Sequence, residues 1–165
     1  MVMDRTKLDQ ARALLQDITP MYRDCGHICG ALCCQPDEDG KGGVFLFPGE
    51  EDIVVGDWAS VSRAEDGPGE GLMLTCAGAC ERARRPLGCM IFPLTPEVDE
   101  GGHVSMRFDA RARPLCPLLR NGLMGLRTDF REAAQKAMQL IASDPEGLLF
   151  LREWAKIERQ YDFRL

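Results

Sequence analysis

The residues in this chain whose type and spacing can do chemistry are its eight cysteines. Four fall within ten residues, as Cys25-x3-Cys29-x3-Cys33-Cys34, and the rest follow as Cys76-x3-Cys80, Cys89 and Cys116. A thiolate is both a nucleophile and a ligand for soft metals. One zinc ion or one simple iron–sulfur cluster takes about four such ligands. Eight thiols therefore predict two four-ligand centres or one polynuclear centre fed by both groups, and spacing leaves both open. Two narrower readings compete. The vicinal pair Cys33-Cys34 could act as a redox dithiol, which leaves the other cysteines without a role. A solitary cysteine such as Cys116 could be an inert small hydrophobe.

A helix across 25–33 would stack Cys25, Cys29 and Cys33 on one face, with neighbouring Cβ atoms about 5–6 Å apart. Two thiolates on one zinc ion sit about 3.8 Å apart, a gap that side-chain rotation closes. An iron–sulfur cluster tolerates wider spacing. Cys34 would point about 100° away from Cys33 on such a helix. A backbone bend, such as one at Gln35-Pro36, is then needed to bring it to the same site. The x3 spacing is not the x2 spacing of zinc ribbons and ferredoxins, so spacing alone names neither class.

Arg82, Arg84, Arg85, Arg107, Arg111, Arg113 and Arg120 crowd the second half of the cysteine region in an otherwise acidic chain. Guanidinium groups there could donate hydrogen bonds to sulfur and offset thiolate charge. The plainer reading is a set of solvated loop residues, since arginine is common here. His27, inside the first cysteine group, could be a ligand or a donor to one. His103, after Gly101-Gly102, reads as solvated. The chain has no Gly-rich phosphate loop, nucleophile elbow or HExxH. The Glu50-Glu51 pair reads as a helix start rather than an acid–base pair, and no catalytic residue is named.

These side chains must be positioned by a chain of 165 residues with a formal net charge of -6. That length suits a single domain over 1–165 with its own core. The acidity argues against nucleic acid as a partner, and no apolar run approaches the span of a bilayer. The N-terminus lacks the apolar core of a secretory signal. A cytoplasmic location follows as the expectation, and in that reducing compartment clustered cysteines point to metal rather than disulfides.

Leu8, Ala11, Leu14 and Leu15 repeat with helical spacing over 4–17, before Thr19-Pro20. Gln35 to Gly43 reads as an acidic loop, and Val44–Phe47 and Leu72–Thr75 as short strands. Pro48-Gly49-Glu50-Glu51-Asp52 reads as the acidic first turn of a helix ending near Ser60. Asp66-Gly67-Pro68-Gly69 is a turn. Leu87 to Leu94 carries Cys89 and closes at Pro93, Thr95 and Pro96. Glu97–Gly102 reads as an acidic turn, and 103–109 as a strand with one buried face. Helices are predicted over 128–142 and 146–161, parted by Asp144-Pro145, within a C-terminal helical pair at about 126–161. Their apolar faces would be Phe130, Ala134, Ala137, Met138 and Ile141, then Leu148, Leu149, Leu151, Trp154 and Ile157. The expected fold is a small, irregular, metal-stapled α+β domain. It has an N-terminal helix, a Cys-rich middle with short strands, and two C-terminal helices. A glycine- and proline-rich middle of this kind has trouble forming a core unaided, and metal would supply cross-links.

The cysteine order, with the words around it, resembles the YkgJ-type cysteine-cluster family, described as zinc- or iron-chelating proteins with a CxxCxxCC motif and eight cysteines. The matching segments are Cys25 to Cys34, Phe45-Leu46-Phe47-Pro48-Gly49-Glu50, Cys76 to Cys80, Arg85 to Leu94, and Phe108 to Leu118. They span about residues 20–120, and the RP-x-x-C-x-x-FP stretch is the most specific. Two departures stand out. The first group has x3 rather than x2 spacing, and Met90 stands where the family usually has arginine. The resemblance implies metal chelation through Cys25, Cys29, Cys33, Cys34, Cys76, Cys80, Cys89 and Cys116. It names no metal and carries no activity across.

Iron, as an iron–sulfur cluster or a multi-iron centre, is favoured, with a redox or protein-modification role. Eight thiolates exceed what a structural domain of this size needs. The alternative is a structural zinc domain that docks a protein partner through its C-terminal helices, or a metal store or carrier.

Overall fold

The computed structural model of the chain describes residues 2–36 and 42–162. Most of the acidic loop expected between Gln35 and Gly43 lies outside the described residues. Helix α1 (Arg5–Leu15) starts where Asp4 accepts a hydrogen bond from the Thr6 backbone N–H at 2.8 Å. Leu8, Ala11 and Leu15 on one stripe are fully buried. The last two helices, α4 (Thr128–Ala142) and α5 (Pro145–Asp162), fall where their periodicity puts them. Asp144 organises this end. Its carboxylate accepts from Glu146 and Gly147 N–H at the start of α5 and from Asp4 N–H at 3.2 Å, so one side chain caps α5 and fastens the entry to α1. Pro145, which lacks an N–H, suits the first helical position.

α1 packs on α4, and α4 on α5. Phe130, Ala134, Ala137, Met138 and Ile141 are all buried, as are Leu151 and Trp154. Leu149 departs from the expected face: it is exposed, and Phe150 takes the core position, stacked on Phe47 with ring centroids 4.7 Å apart. Their apolar faces are therefore turned into the molecule's own core.

Two small antiparallel sheets join the helices. The first has the order β1 (Val44–Phe45), β3 (Leu72–Cys76), β2 (Ala59–Arg63), with Ala59 opposite Cys76. The second pairs β4 (Leu94–Val98) with β5 (Val104–Phe108). Between the sheets, α3 (Leu87–Ile91) carries Cys89 and packs on α1, β1 and β4. The arrangement is α+β, and among the described residues no helix is long and apolar enough to cross a membrane.

Three local expectations are corrected. The helix expected from Pro48 to about Ser60 is a turn followed by β2. Glu50 explains why: its carboxylate is fully buried and accepts from Phe47 N–H at 3.0 Å, from Leu87 N–H at 2.7 Å and from Arg12 Nη1 at 2.6 Å. The carboxylate thus caps α3, a helix distant in sequence, rather than a helix of its own. Next, the segment expected to close at Thr95-Pro96 and turn at Glu97 is strand β4. A proline fits there because a two-stranded sheet leaves each strand one edge without ladder bonds. Finally, the single helix assumed across 25–33 is broken, as described below.

Candidate metal centre

Cys25 caps the short helix α2 (Gly26–Cys29), which stops at two consecutive left-handed residues, Gly30 (φ 64°) and Ala31 (φ 55°). A separate 3-10 turn, Leu32–Cys34, then carries the vicinal pair. Cys25, Cys29 and Cys33 therefore do not share one continuous helix face. The bend that re-aims Cys33 and Cys34 lies at Gly30-Ala31, earlier than the Gln35-Pro36 position expected. No side chain of α2 or of this turn is buried. Cys76 closes β3 and its sulfur accepts from Gly78 N–H at 3.3 Å. Cys89 sits in the first turn of α3, two residues after Leu87, whose N–H donates to Glu50. Cys116 lies between the 3-10 turns Ala110–Ala112 and Pro117–Gly125, with its N–H on Ala112 O at 2.7 Å.

All eight cysteines are free thiols, seven of them partly buried and Cys33 exposed. Residues far apart in sequence act on one another. Burial raises the Cys25 thiol, and Asp24, Cys116 and Cys29 raise it further. Burial also raises Cys116, with Cys29 adding to it. A side-chain hydrogen bond with Cys34 raises the Cys33 thiol, and the charges of Cys34, Cys25 and Cys29 add to it. The same bond lowers Cys34 to about 6, helped by the Arg85 guanidinium. Burial lifts Cys76 and Cys89, and Cys34 and Cys80 lift both again. Charge on one sulfur thus bears on others distant in sequence, Cys116 on Cys25 and Cys34 on Cys76 and Cys89.

The arginines divide sharply. Arg85 Nε donates to Cys80 Sγ at 3.4 Å. Burial would lower the Arg85 guanidinium, but that bond and the charges of Cys80, Cys34 and Cys89 raise it. Of the others named from the sequence, Arg82, Arg84, Arg107 and Arg111 have different hydrogen-bond or ion-pair partners. Arg82 holds the carbonyls of Leu15, Gln16 and Ile18 at the end of α1. Arg84 reaches Val55 O, Arg107 pairs with Asp162, and Arg111 pairs with Asp109 and Glu158. His27 is exposed. His103 is exposed too and faces Asp99 at 3.2 Å, a solvated pair as expected. Met90 is buried in the core. Two contributors escaped the sequence reading: Glu50, taken for a helix start, and Asp24, whose charge bears on Cys25 and Cys34.

The donor set suits a thiophilic metal: sulfur only, with one guanidinium hydrogen-bonded to it. As the side chains stand, no three Cys, His, Asp or Glu among the described residues form a group that could hold a metal ion. Side-chain rotation would have to close the sulfurs on an ion.

The chain matches no protein-family model, no curated protein and no solved structure.

Proposed function

We propose that this chain is a metal–thiolate protein, holding iron as an iron–sulfur cluster or a multi-iron centre through its eight cysteines, and that it is kin to the YkgJ-type cysteine-cluster proteins. The observation that supports the reading is eight free thiols, four of them within ten residues, with the Arg85 guanidinium hydrogen-bonded to Cys80 sulfur. Unliganded, most of these thiols stay protonated, because burial and neighbouring sulfur oppose ionisation. A bound cation removes that opposition by drawing the thiolates to itself. Sulfur in excess of one four-ligand site supports iron over a single structural zinc. A redox or protein-modification role is part of the proposal, and no substrate is assigned. Elemental analysis and an absorption spectrum of anaerobically purified protein test it. Iron with visible charge-transfer absorption is expected. A colourless protein carrying stoichiometric zinc would replace iron by zinc, and a metal-free protein would overturn the reading.

A further inference from the structure

Strand β2 is the outer strand of its sheet and pairs with β3 alone. Ala77 N–H donates to Trp58 O and Ala64 N–H to Gly71 O, each at 2.8 Å, so the even-numbered residues of this stretch bond inward to β3. In an antiparallel pair the intervening residues turn their N–H and C=O groups away from the partner. Ala59, Val61 and Arg63 therefore present backbone donors and acceptors at a free edge. Among the described residues no backbone hydrogen bond closes that edge, and β2 is exposed from Ser60 to Arg63. Folded proteins blunt such edges with lysine, proline or a bulge. Ala59-Ser60-Val61-Ser62 has none of these, and its register with β3 is unbroken.

Residues directly opposite in a sheet share a face. Val61 lies opposite Leu74 and Ala59 opposite Cys76, so both stand on the face that builds the apolar cluster of Val44, Leu46, Val54 and Leu74. Ala59 packs against that cluster, whereas Val61, at its rim, is 46 % exposed. The apolar face thus runs out to the edge and stops there uncovered. Charges of opposite sign flank it. Asp57 stands just before the strand, exposed and without an ion pair among the described residues. Arg63 ends the strand, exposed, with Glu70 at 3.3 Å. Turned end for end, this edge is complementary to itself.

We propose that a second copy of this chain adds to this edge, the two β2 strands pairing antiparallel about a two-fold axis at Ser60. That register sets Ala59 of each copy opposite Val61 of the other. It joins outward backbone groups to outward backbone groups, covers each apolar rim with its counterpart, and brings Asp57 of each copy against Arg63 of the other. The neighbouring register, with Val61 opposite Val61, sets Asp57 against Glu65, and like charges directly opposite are destabilising. An isologous contact of this kind closes at two copies and leaves β1 as the outer strand on both sides.

Sedimentation velocity over a series of protein concentrations tests the pairing, with reductant present so that thiols do not cross-link copies. The wild-type mass should rise with concentration from that of one chain towards that of two. Asp57→Arg or Arg63→Asp alone sets like charges opposite each other at both ends of the contact. Each should raise the dimer dissociation constant by about 10-fold, and the double variant Asp57→Arg/Arg63→Asp should restore it. Val61→Pro removes an N–H that points away from β3, a change edge strands accept. It should leave the circular dichroism of the chain unchanged and abolish the dimer. If that variant unfolds, the three charge variants, confined to exposed side chains, decide the matter. A chain monomeric at every concentration overturns the inference. So does a dimer indifferent to the charge reversals, or one that Asp57→Arg tightens, the mark of the Val61–Val61 register.

Discussion

Replacing Glu50 by alanine should destabilise the protein more than any other single change on the polar surface of its core. Glu50 is fully buried and Arg12 nearly so, with their charged atoms 2.6 Å apart. The same carboxylate satisfies the N–H groups of Phe47 and Leu87. Truncation leaves a buried guanidinium without its counter-ion and two backbone donors without an acceptor. Breaking a buried pair in this way costs about 3–5 kcal/mol. With a urea slope of about 2 kcal/mol/M for a chain this size, the unfolding midpoint should fall by about 1.5–2.5 M. The assay is urea unfolding followed by circular dichroism, with chelator in both samples so that metal does not contribute. Arg12→Met is the informative control. The carboxyl left behind can take up a proton, because burial already raises it and Arg12 is among the groups that hold it down. A guanidinium cannot lose its proton in the same range. Arg12→Met should therefore cost less than Glu50→Ala, and less at pH 5 than at pH 8. A Glu50→Ala loss below about 1 kcal/mol, or an Arg12→Met cost independent of pH, would refute the reasoning.

Glu158 supplies a second pH signature. Burial raises its carboxyl to about 7, against the opposing charge of Arg111, while Oε1 accepts from Trp154 Nε1 and Oε2 has no hydrogen-bond partner among the described residues. A raised carboxyl favours the folded state while protonated, and that advantage is lost as pH climbs from about 4.5 to 7. Measured by denaturant unfolding, wild type should lose about 3 kcal/mol relative to Glu158→Gln across that window, and a pH-independent difference would count against it. Gly88 marks the closest approach of α3 to β1: an added Cβ would stand 2.4 Å from Val44 Cγ2 and 3.4 Å from the Trp154 ring. Gly88→Ala should lower stability by about 1–3 kcal/mol by the same assay.

Elements with long, regular periodicity were legible in the sequence. Leu8, Ala11 and Leu15 and the face Phe130 to Ile141 are buried as read, whereas Leu14, read with the first set, is exposed. The strand at 103–109 was legible for the same reason, in period two. What escaped depends on partners distant in sequence. Glu50-Glu51 after Pro48-Gly49 carries the local signature of a helix start. Nothing local reveals that Arg12 and the Leu87 N–H will claim the carboxylate and hold the segment in a turn. Pro96 argued against a strand because its exposed edge could not be known. The x3 spacing suggested one helix across 25–33, but Gly30 and Ala31 both take the left-handed conformation. The candidate site was legible as a set of residue types. The hydrogen bond from Arg85 to Cys80 was not, since it leaves no mark in spacing.

The cysteines differ in how firmly the fold holds them. Cys76 is hydrogen-bonded into β3, which pairs on both sides, and Cys89 sits on a helix capped by a buried carboxylate. For these two, little ordering remains to be done when an ion arrives, and Arg85 already offsets part of the thiolate charge. Cys25, Cys29 and Cys33 stand on turns without buried side chains, beside Asp24 rather than a cation. Gathering them costs conformational entropy, about 1–2 kcal/mol per residue ordered, and charge that no arginine relieves. Arg85→Gln removes the hydrogen bond to Cys80 sulfur, so cobalt(II) bound by the metal-stripped chain should be withdrawn by a competing chelator about 10-fold more easily, and unchanged affinity would count against Arg85 supporting a thiolate ligand.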